Sequence, residues 1–411
     1  MRFSRRVAAN LSENPLALAL TRRRRDGLPL IDLTESNPTR AGFLYEEARI
    51  LQALAQPESL SYLPDPKGLP AARGAVARYF AESRGTRVDP ENILITASTS
   101  EAYSLLFKLL CDPGDAVLVP TPSYPLFGFL TALESVRTIE YPLRWDGEWH
   151  VDLPALETLM AGGERIRALM IVSPGNPTGA YIKRYEYMRA AALCADRNIA
   201  LISDEVFADY PMEVAAAGRS ARQNPDDAMP TAAGSGDGLT FTLSGLSKVC
   251  GLPQLKLGWC AITGPDALVE EATRRLELIA DTYLSVSTPV QLALSTLLDT
   301  RHALQAQVRA RCTKNFAALR EARPHDASWD VLTSEGGWCA ILRVPDACSE
   351  EELALQLLAR GVLVQPGYFY DFPRGNHLVL SLLPREDEFA RAIALVADVL
   401  RADAHTAPSL L

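Results

Sequence analysis

The sequence lacks the patterns that mark several classes of protein. Its net charge of −9, from 41 basic and 50 acidic residues among 411, argues against a nucleic-acid binder. No apolar run approaches the roughly 20 residues that a membrane-spanning helix needs, so we expect no membrane partner. The seven cysteines are scattered, odd in number and without a Cys-x-x-Cys pair. We therefore expect reduced thiols in a cytoplasmic protein, with neither a disulfide framework nor a zinc site.

The first 25 residues hold a short apolar stretch between two groups of arginines. A signal peptide needs a longer apolar core and a small-residue cleavage site, and Pro15 with the polar residues before it interrupts this stretch. Pro15 suits the first turn of a helix, and the arginines at 22–25 suit a helix end before Gly27. The segment is interpreted as the helix of an N-terminal arm.

Short, continuous apolar runs alternate with helical patterns through the middle of the chain. Such runs are typical of strands covered on both faces, and their alternation with helices predicts a mostly parallel α/β sheet. In such sheets, ligands bind beyond the carboxyl ends of the strands. The predicted strands lie at residues 92–96, 116–120, 168–172, 200–203, 239–243 and 257–262.

The order of elements predicts three parts of the chain. Residues 1–45 form an arm that joins the small domain, residues 46–290 form the large domain, and residues 291–411 form a small α+β domain. The segment 215–238, rich in Ala, Gly, Ser, Pro and Asp, is predicted to be a long surface loop. The small domain is predicted to contain a helical stretch up to 320, helices at 349–360 and 386–401, and strands at 329–332, 337–344 and 378–382.

Lys248 lies in the segment Ser-Gly-Leu-Ser-Lys-Val-Cys-Gly-Leu-Pro at residues 244–253. A lysine amine condenses with an aldehyde, so lysine is the residue that tethers pyridoxal phosphate, a cofactor able to absorb the electrons of a carbanion. Taken alone, Lys248 is better explained as an exposed loop lysine. Four other segments near the ends of predicted strands extend the cofactor interpretation.

Asp204 and Asn176 each follow a predicted buried strand. A half-buried Asp204 is suited to pair with a protonated pyridine nitrogen, which makes the ring a better electron sink. An aspartate at such a junction is also a common helix cap. Asn176, in the Asn-Pro-Thr-Gly turn at 176–179, can present an amide donor at a strand end, although this turn is a plain loop in most proteins.

Two further segments extend the pattern. The junction Thr-Ala-Ser-Thr-Ser-Glu at 96–101 joins a predicted strand to a helix and offers hydroxyls and backbone N–H groups for a phosphate. By itself it is an ordinary helix cap. Tyr124, which follows the strand at 116–120, can lay its ring on a pyridine, although a lone tyrosine is more often simply packed.

Taken together and in this order, these residues resemble the fold-type I pyridoxal-phosphate enzymes of the class I/II aminotransferase family. The motifs are Asn-Pro-Thr-Gly at 176–179, Asp-Glu-Val at 204–206 and Ser-x-x-Ser-Lys at 244–248. The resemblance begins at Leu-Thr-Glu-Ser-Asn-Pro, residues 33–38, and extends into the small domain. It implies a sheet of the seven-stranded type, the cofactor pyridoxal 5′-phosphate, a small-molecule amino donor and carbonyl acceptor, ping-pong transfer and a homodimer.

The resemblance also implies a role for each matching residue. Lys248 is the Schiff-base lysine and the catalytic residue that moves the substrate proton. Asp204 holds the pyridine nitrogen, Asn176 donates to the ring 3′-oxygen, and Tyr124 stacks on the ring. The implied contacts with the cofactor phosphate come from Ser98, Thr99, Ser100, Ser247 and Lys256. Tyr62 is implied to contact the phosphate of the neighbouring subunit. Asn37 and Asn176 are implied to contact the substrate.

Three positions near the expected cofactor depart from the family pattern. Phe207 replaces a tyrosine whose hydroxyl reaches the ring 3′-oxygen, so we expect a higher pKa for the linkage between Lys248 and the cofactor. Lys256 replaces an arginine that grips the phosphate, and lysine lacks the bidentate fork. Gly245 replaces a phosphate serine. We expect a looser phosphate grip from these last two changes.

The fourth departure concerns the substrate. Val379 stands where the family has an arginine that forks onto the substrate carboxylate. Three explanations are open: a different register, another base such as Arg40 or Arg374, or a substrate without an α-carboxylate at that place. His377 is a candidate pocket residue, although a histidine in a strand is more often structural.

Two alternatives to an aminotransferase remain at this stage. Lys248 with Asp204 also serves lyases, decarboxylases and synthases on the same fold. The second alternative is a degenerate, non-catalytic binding module, because several phosphate and substrate contacts are changed. The joint presence of Lys248, Asp204 and Asn176 favours a working catalyst.

Overall fold

A computed structural model describes residues 3–7, 11–212, 215–216, 219–220, 227–234 and 236–406. The helices in this part of the chain are α1 (Pro15–Arg25), α2 (Glu47–Leu54), α3 (Pro70–Arg84), α4 (Thr99–Leu110), α5 (Leu126–Leu133), α6 (Leu153–Ala161), α7 (Arg184–Asp196), α8 (Leu246–Val249), α9 (Asp266–Asp281), α10 (Thr288–Asp299), α11 (Arg301–Glu321), α12 (Glu350–Ala359) and α13 (Glu386–Thr406). Short 3-10 helices lie at Pro57–Leu60, Pro90–Asn92, Pro253–Leu255 and Gly367–Tyr370.

The strands are β1 (Ile31–Asp32), β2 (Ile93–Thr96), β3 (Ala116–Thr121), β4 (Arg137–Trp145), β5 (Trp149–Val151), β6 (Ile166–Val172), β7 (Ala200–Asp204), β8 (Ala215–Ala216), β9 (Arg219–Ser220), β10 (Thr240–Gly245), β11 (Gly258–Thr263), β12 (Asp330–Val331), β13 (Cys339–Val344), β14 (Val362–Leu363), β15 (Gln365–Pro366) and β16 (Asn376–Ser381). Eight of them form the main sheet in the order β2-β11-β10-β7-β6-β3-β4-β5, one strand more than the seven-stranded type that the resemblance implied.

The main sheet is mostly parallel. The pairs β10–β7, β7–β6, β6–β3 and β3–β4 are parallel, whereas β11 and β5 run antiparallel to their neighbours. All six predicted strands are present, and the predicted α/β class is confirmed. The sequence did not reveal β4 and β5. Strand β4 is half exposed and contains Pro142, so it lacks the continuous apolar run of a central strand.

Helices cover both faces of this sheet. Along β7, Ile202 packs in a core with α4 and α9, whereas Leu201 packs on the other face in a core with α6 and α7. A third core around Trp259 of β11 includes residues of α2, α3 and α10. Because neighbouring residues of a strand point to opposite faces and both faces are covered, every position of the central strands β3, β7 and β10 is buried.

The C-terminal part has a separate four-stranded antiparallel sheet, β12-β13-β16-β15. Its core contains side chains of α11, α12 and α13 together with Leu16 and Leu33 of the N-terminal segment. Strand β1 pairs in parallel with β14 in a separate two-stranded sheet, and β14 directly precedes β15 of the four-stranded sheet. The helical stretch predicted up to residue 320 is two helices, α10 and α11, that meet at Thr300.

The N-terminal helix has the predicted form. Pro15 occupies its first turn, the Asn14 side chain accepts a hydrogen bond from the Ala17 N–H, and its arginines lie in the last turn. The loop predicted at 215–238 lies partly outside the described residues, and its described part includes the short pair β8–β9. Among the helices described here, none has the length and apolar character required to cross a membrane.

The strand ends bring the polar motifs to one edge of the main sheet. Val172 of β6, Asp204 of β7 and Leu243 of β10 are register partners, so the segments that follow these three strands emerge side by side. This edge is the carboxyl end of the parallel strands, where α/β sheets bind ligands.

Candidate active site

Lys248 lies in α8, a single helical turn that begins directly after β10. Its Nζ is 4.8 Å from the centroid of the Trp338 ring and 5.3 Å from that of Phe207. Burial lowers the pKa of Lys248, while the nearby Cys339 and Asp204 act in the opposite direction. A lysine with a lowered pKa has a larger fraction of neutral amine, which is the form that attacks a carbonyl.

Three side chains from distant segments hold the turn that carries Lys248. The Tyr210 hydroxyl donates to the Lys248 carbonyl at 2.5 Å, the Gln305 amide to the Val249 carbonyl at 2.9 Å, and the Tyr45 hydroxyl to the Gly251 carbonyl at 2.8 Å. A one-turn helix cannot satisfy its own last carbonyls, so these donors fix the backbone beneath Lys248.

Asp204 ends β7 and is buried. Its Oδ2 accepts a hydrogen bond from the Tyr103 hydroxyl at 2.8 Å, and its Oδ1 accepts one from the Val206 N–H at 3.1 Å. Burial raises the pKa of Asp204, whereas these two donors and Lys248 lower it. The carboxylate is thus a buried acid near a buried amine, which suits it to hold a protonated ring nitrogen.

Asn176 is half-buried in the turn after β6, and its partner is a thiol of the small sheet. The Cys339 Sγ lies 3.8 Å from Asn176 Oδ1. Burial raises the pKa of Cys339 to about 11, so the thiol is protonated near neutral pH and donates to that oxygen. The amide N–H groups of Asn176 remain for another acceptor.

The N-terminus of α4 lies beside the turn that carries Lys248. Ser98 caps this helix by accepting a hydrogen bond from the Glu101 N–H at 3.1 Å, and Thr99 and Ser100 form its first turn. A Cβ on Gly258 of β11 would stand 3.1 Å from the Thr99 nitrogen. This close approach brings the helix N-terminus, a favourable place for an anion, to the ends of β10 and β11.

The departures from the family pattern have distinct structural settings. Gly245 is opposite Gly258 in the sheet, and a Cβ on Gly245 would meet the Gly258 Cα and the Leu257 oxygen at 3.0 Å each. A serine at 245 would therefore crowd β11. Lys256 is exposed and has a left-handed backbone with φ 51°, two residues before β11, while Ser247 is half-buried beside Lys248.

Tyr124 is partly exposed and lies next to a segment of the small domain. The preceding Ser123 N–H donates to the Tyr370 carbonyl at 2.9 Å, and the Thr121 hydroxyl donates to the Asp371 carbonyl at 2.7 Å. Burial raises the pKa of Tyr370, and the nearby Cys339 and Tyr124 raise it further. Tyr370 therefore belongs to the same site.

The N-terminal arm approaches the site near Gly251. The Ser381 hydroxyl donates to the Glu35 carbonyl at 2.5 Å, and a Cβ on Gly251 would meet the Pro38 ring at 3.3 Å. Asn37 lies between these contacts and accepts hydrogen bonds from Thr39. Tyr62 is 76% exposed, and within the described residues of one subunit no hydrogen bond joins it to this part of the site.

The other bases considered from the sequence lie toward the surface. Arg40 and Arg374 are exposed. Arg374 and His377 line an outer cleft of about 620 Å³ between the β4–β5 hairpin and the small sheet. His377 is buried and stacks on Phe372 at 4.2 Å, and burial lowers its pKa to about 4, so it is neutral near pH 7.

The sequence did not single out Tyr103, Tyr210, Trp338, Cys339 or Tyr370. Tyr103 follows Thr99 by one helical turn on the buried side of α4, so helical periodicity was the available signal for it. The other four reach the site through tertiary contacts between the two sheets, which no local pattern reports.

Comparison with known families identifies the family to which this site belongs. The model of the family described as "Aminotransferase class I and II" matches residues 29–387. The chain belongs to this family. It is therefore a transferase, an aminotransferase dependent on pyridoxal phosphate, as the sequence motifs predicted.

Individual relatives agree with this assignment. The alanine aminotransferase of Mycobacterium tuberculosis (strain ATCC 25618 / H37Rv) is 27% identical over 395 residues, covering 91% of this chain and 86% of the relative. The glutamate-pyruvate aminotransferase AlaA of Escherichia coli (strain K12) is 25% identical over 401 residues, covering 94% of each. The structure of alanine aminotransferase from Pyrococcus furiosus shares the fold, with a TM-score of 0.85 at 22% identity, over 98% of this chain and 100% of that chain.

The residues present fit the cofactor. The buried carboxylate at the end of β7 suits the ring nitrogen, and the amide donor at the end of β6 suits the ring oxygen. The helix N-terminus with three hydroxyl residues suits the phosphate. Lys248 lies among them with a lowered pKa. Apart from Lys248, the groups that lower the pKa of Asp204 are hydrogen-bond donors, which leaves a place for the positive ring nitrogen.

Tyr103→Phe tests the support of Asp204. Removing a hydrogen bond to a charged group costs about 1.5 kcal/mol, so the pKa of Asp204 should rise by about one unit and kcat should fall about tenfold. If the Asp204 carboxylate holds the ring nitrogen, as the resemblance implies, the acidic limb of the kcat/KM profile should move to higher pH. Tyr141→Phe, which removes a buried hydroxyl bonded to the Met170 carbonyl at 2.8 Å, is the control. Equal pH profiles for both variants would contradict the assignment.

Phe207→Tyr tests the missing hydroxyl. The Phe207 ring lies 5.3 Å from Lys248 Nζ and packs edge-on against Trp338. A tyrosine hydroxyl should lower the pKa of the link between Lys248 and the cofactor by about one unit, or roughly 1.4 kcal/mol. A pH titration of the visible absorbance of the holoenzyme measures this pKa. Phe207→Leu should leave it unchanged, and an unshifted Phe207→Tyr would refute the expectation.

Proposed function

We propose that the chain transfers an amino group from a small-molecule donor to a carbonyl acceptor by a ping-pong mechanism, with Lys248 as the catalytic base. The observation that carries this proposal is the enclosed lysine of lowered pKa beside the buried Asp204. Bound pyridoxal phosphate supplies the electron sink that makes loss of a proton from the donor carbon feasible.

Lys248 has the properties of a residue that moves a proton. Its amine is fixed by the Phe207 and Trp338 rings, and its backbone is held by Tyr210. Burial favours the neutral amine, which is the form that accepts a proton. We assign to Lys248 both the tethering of the cofactor and the movement of the proton at the substrate carbon.

Asp204, Asn176 and Tyr124 are proposed to bind the cofactor ring. Asp204 would hold the ring nitrogen in its charged form, Asn176 would donate to the ring oxygen, and Tyr124 would cover one ring face. The proposed phosphate contacts come from the α4 N-terminus and the strand ends beside it, through Ser98, Thr99, Ser100, Ser247 and Lys256. The proposed substrate contacts come from Asn37 and Asn176.

A homodimer is proposed on the basis of an exposed apolar surface. Leu60, Tyr62 and Leu63 are 93%, 76% and 72% exposed. Tyr62 and Leu63 line one groove with Tyr283 and Leu284, which are also exposed. A contiguous apolar patch of this kind is typical of a protein interface. Tyr62 would then act in the site of the neighbouring subunit.

We propose the division of the chain into an arm at 1–45, a large domain at 46–290 and a small domain at 291–411. The pairing of β1 with β14 supports an arm that joins the small domain. Helix α10 contains the proposed boundary between the large and small domains, and it packs on α2 and α3 of the large domain. A cytoplasmic location is proposed from the free cysteines.

An amino donor added without acceptor tests the proposed reaction. The wild-type holoenzyme should convert its cofactor stoichiometrically to the amine form, seen as loss of visible absorbance, and Lys248→Ala should fail to do so. Lys314→Ala, which changes a lysine 66% exposed on α11, should behave as wild type. Release of ammonia, carbon dioxide or a thiol would favour lyase, decarboxylase or synthase chemistry, and no conversion by any donor would favour a binding module.

A further inference from the structure

One wall of the site is built from the small sheet. Val379 of β16 is opposite Ile341 of β13 on one side and Gln365 of β15 on the other. Side chains that are opposite in an antiparallel sheet point to the same face, and Cys339 shares that face because it precedes Ile341 by two positions. The contact between Cys339 and Asn176 turns this face toward Lys248.

This wall, Cys339, Ile341, Val379, Gln365 and Tyr370, is closely packed and uncharged. Val379 is 1% exposed, and it forms one apolar core with Ile341 and Tyr370, completed by Trp149 and Leu332. The Tyr370 hydroxyl donates to the Gln365 amide oxygen. The space around Val379 is thus filled by apolar side chains and one neutral hydrogen-bonded pair.

Within the described residues, the ionisable groups that shift pKa values at this wall include no arginine, and Arg144 and Arg374, which line the outer cleft, are exposed. Those that shift the pKa of Lys248 are Cys339 and Asp204, and those that shift the pKa of Tyr370 are Cys339 and Tyr124. Arg343 follows Ile341 on the same face, but its guanidinium is half-exposed and lies 3.4 Å from Asp330.

A carboxylate placed against such a wall would lose its hydration without gaining a charged partner in the described part of the chain. Burial of an unpaired carboxylate is costly, whereas an alkyl or aryl group gains free energy on leaving water. Such a wall would therefore favour an uncharged group over a carboxylate in any substituent placed against it.

We propose that the amino donor is a primary amine whose amine-bearing carbon carries an apolar or neutral polar group, and no carboxylate, toward the wall formed around Val379. This proposal rests on the proposed aminotransferase reaction. During transfer, the donor amine becomes a carbonyl and the acceptor carbonyl becomes an amine, so atoms and electrons balance without a further reactant. The relatives named as alanine and glutamate-pyruvate aminotransferases would then differ from this chain in donor class.

Matched donor pairs that differ only in the α-carboxylate test this proposal. The pairs are 2-phenylethylamine with L-phenylalanine, ethylamine with L-alanine, and 4-aminobutyrate with L-glutamate. The second-order rate of cofactor conversion is measured with wild-type holoenzyme in the absence of acceptor. We expect the amine to react at least about tenfold faster than its amino acid in at least one pair, and no amino acid to outpace its amine.

Val379→Arg should reverse this preference, because it supplies a cation for the carboxylate. Val379→Leu, which changes bulk without charge, should keep the preference for amines. Far-ultraviolet circular dichroism and cofactor absorbance show whether each variant is folded and loaded. If Val379→Arg does not fold, the wild-type comparison decides alone.

The outcomes separate the two proposals. Faster conversion by amino acids in the wild type would overturn the donor assignment and leave the aminotransferase reaction intact. Conversion by neither class would overturn the aminotransferase reaction and the donor assignment with it. Retained amine preference in a folded, loaded Val379→Arg would show that the wall does not set the preference.

Discussion

The site depends on keeping an amine and a carboxylate near each other in a largely dry environment. Burial shifts the pKa of Lys248 downward and that of Asp204 upward, and each group partly offsets the shift of the other. Taking either charge out of water alone would be costly, so their proximity constrains the ends of β7 and β10. Tyr103 and the Val206 N–H stabilise the acid, and aromatic rings surround the amine.

The same constraint explains why the site draws on the whole chain. A four-residue helix cannot hold a buried lysine in place by itself, and Tyr210, Gln305 and Tyr45 supply the missing hydrogen bonds from three separate segments. The small sheet then closes the site through Cys339 on Asn176 and Tyr370 beside Ser123. The residues proposed to hold the cofactor ring therefore follow strands of the large sheet, whereas the proposed substrate-facing wall belongs to the small one.

Much of this arrangement could be predicted from the sequence, for identifiable reasons. The central strands are buried on both faces, so most of them contain a continuous apolar run that is visible without tertiary information. The half-exposed β4, interrupted by Pro142, gives no such run. The residues proposed to bind the cofactor stand in short sequence motifs. Cys339, Trp338 and Tyr370 depend on the register of β13, β15 and β16, which the sequence does not state.

The four positions that depart from the family pattern also show what the sequence reveals and what only the structure reveals. Phe207, Gly245, Lys256 and Val379 were visible in the sequence as departures, but their surroundings were not. The crowding at Gly245 comes from the backbone of Gly258, and the apolar packing of Val379 comes from three different segments. The crowding and the packing arise where separate strands meet. A sequence motif therefore identifies the changed residue but does not show what surrounds it.

Borohydride reduction of the holoenzyme tests most directly whether Lys248 carries the cofactor. Reduction fixes the carbon–nitrogen bond between the cofactor and its lysine, and proteolysis with mass spectrometry then locates the modified residue. The account predicts one pyridoxyl group per subunit on the peptide that contains Lys248. Modification of Lys256 or another lysine in its place, or an unmodified chain from a protein that shows the visible absorbance of the cofactor, would contradict it.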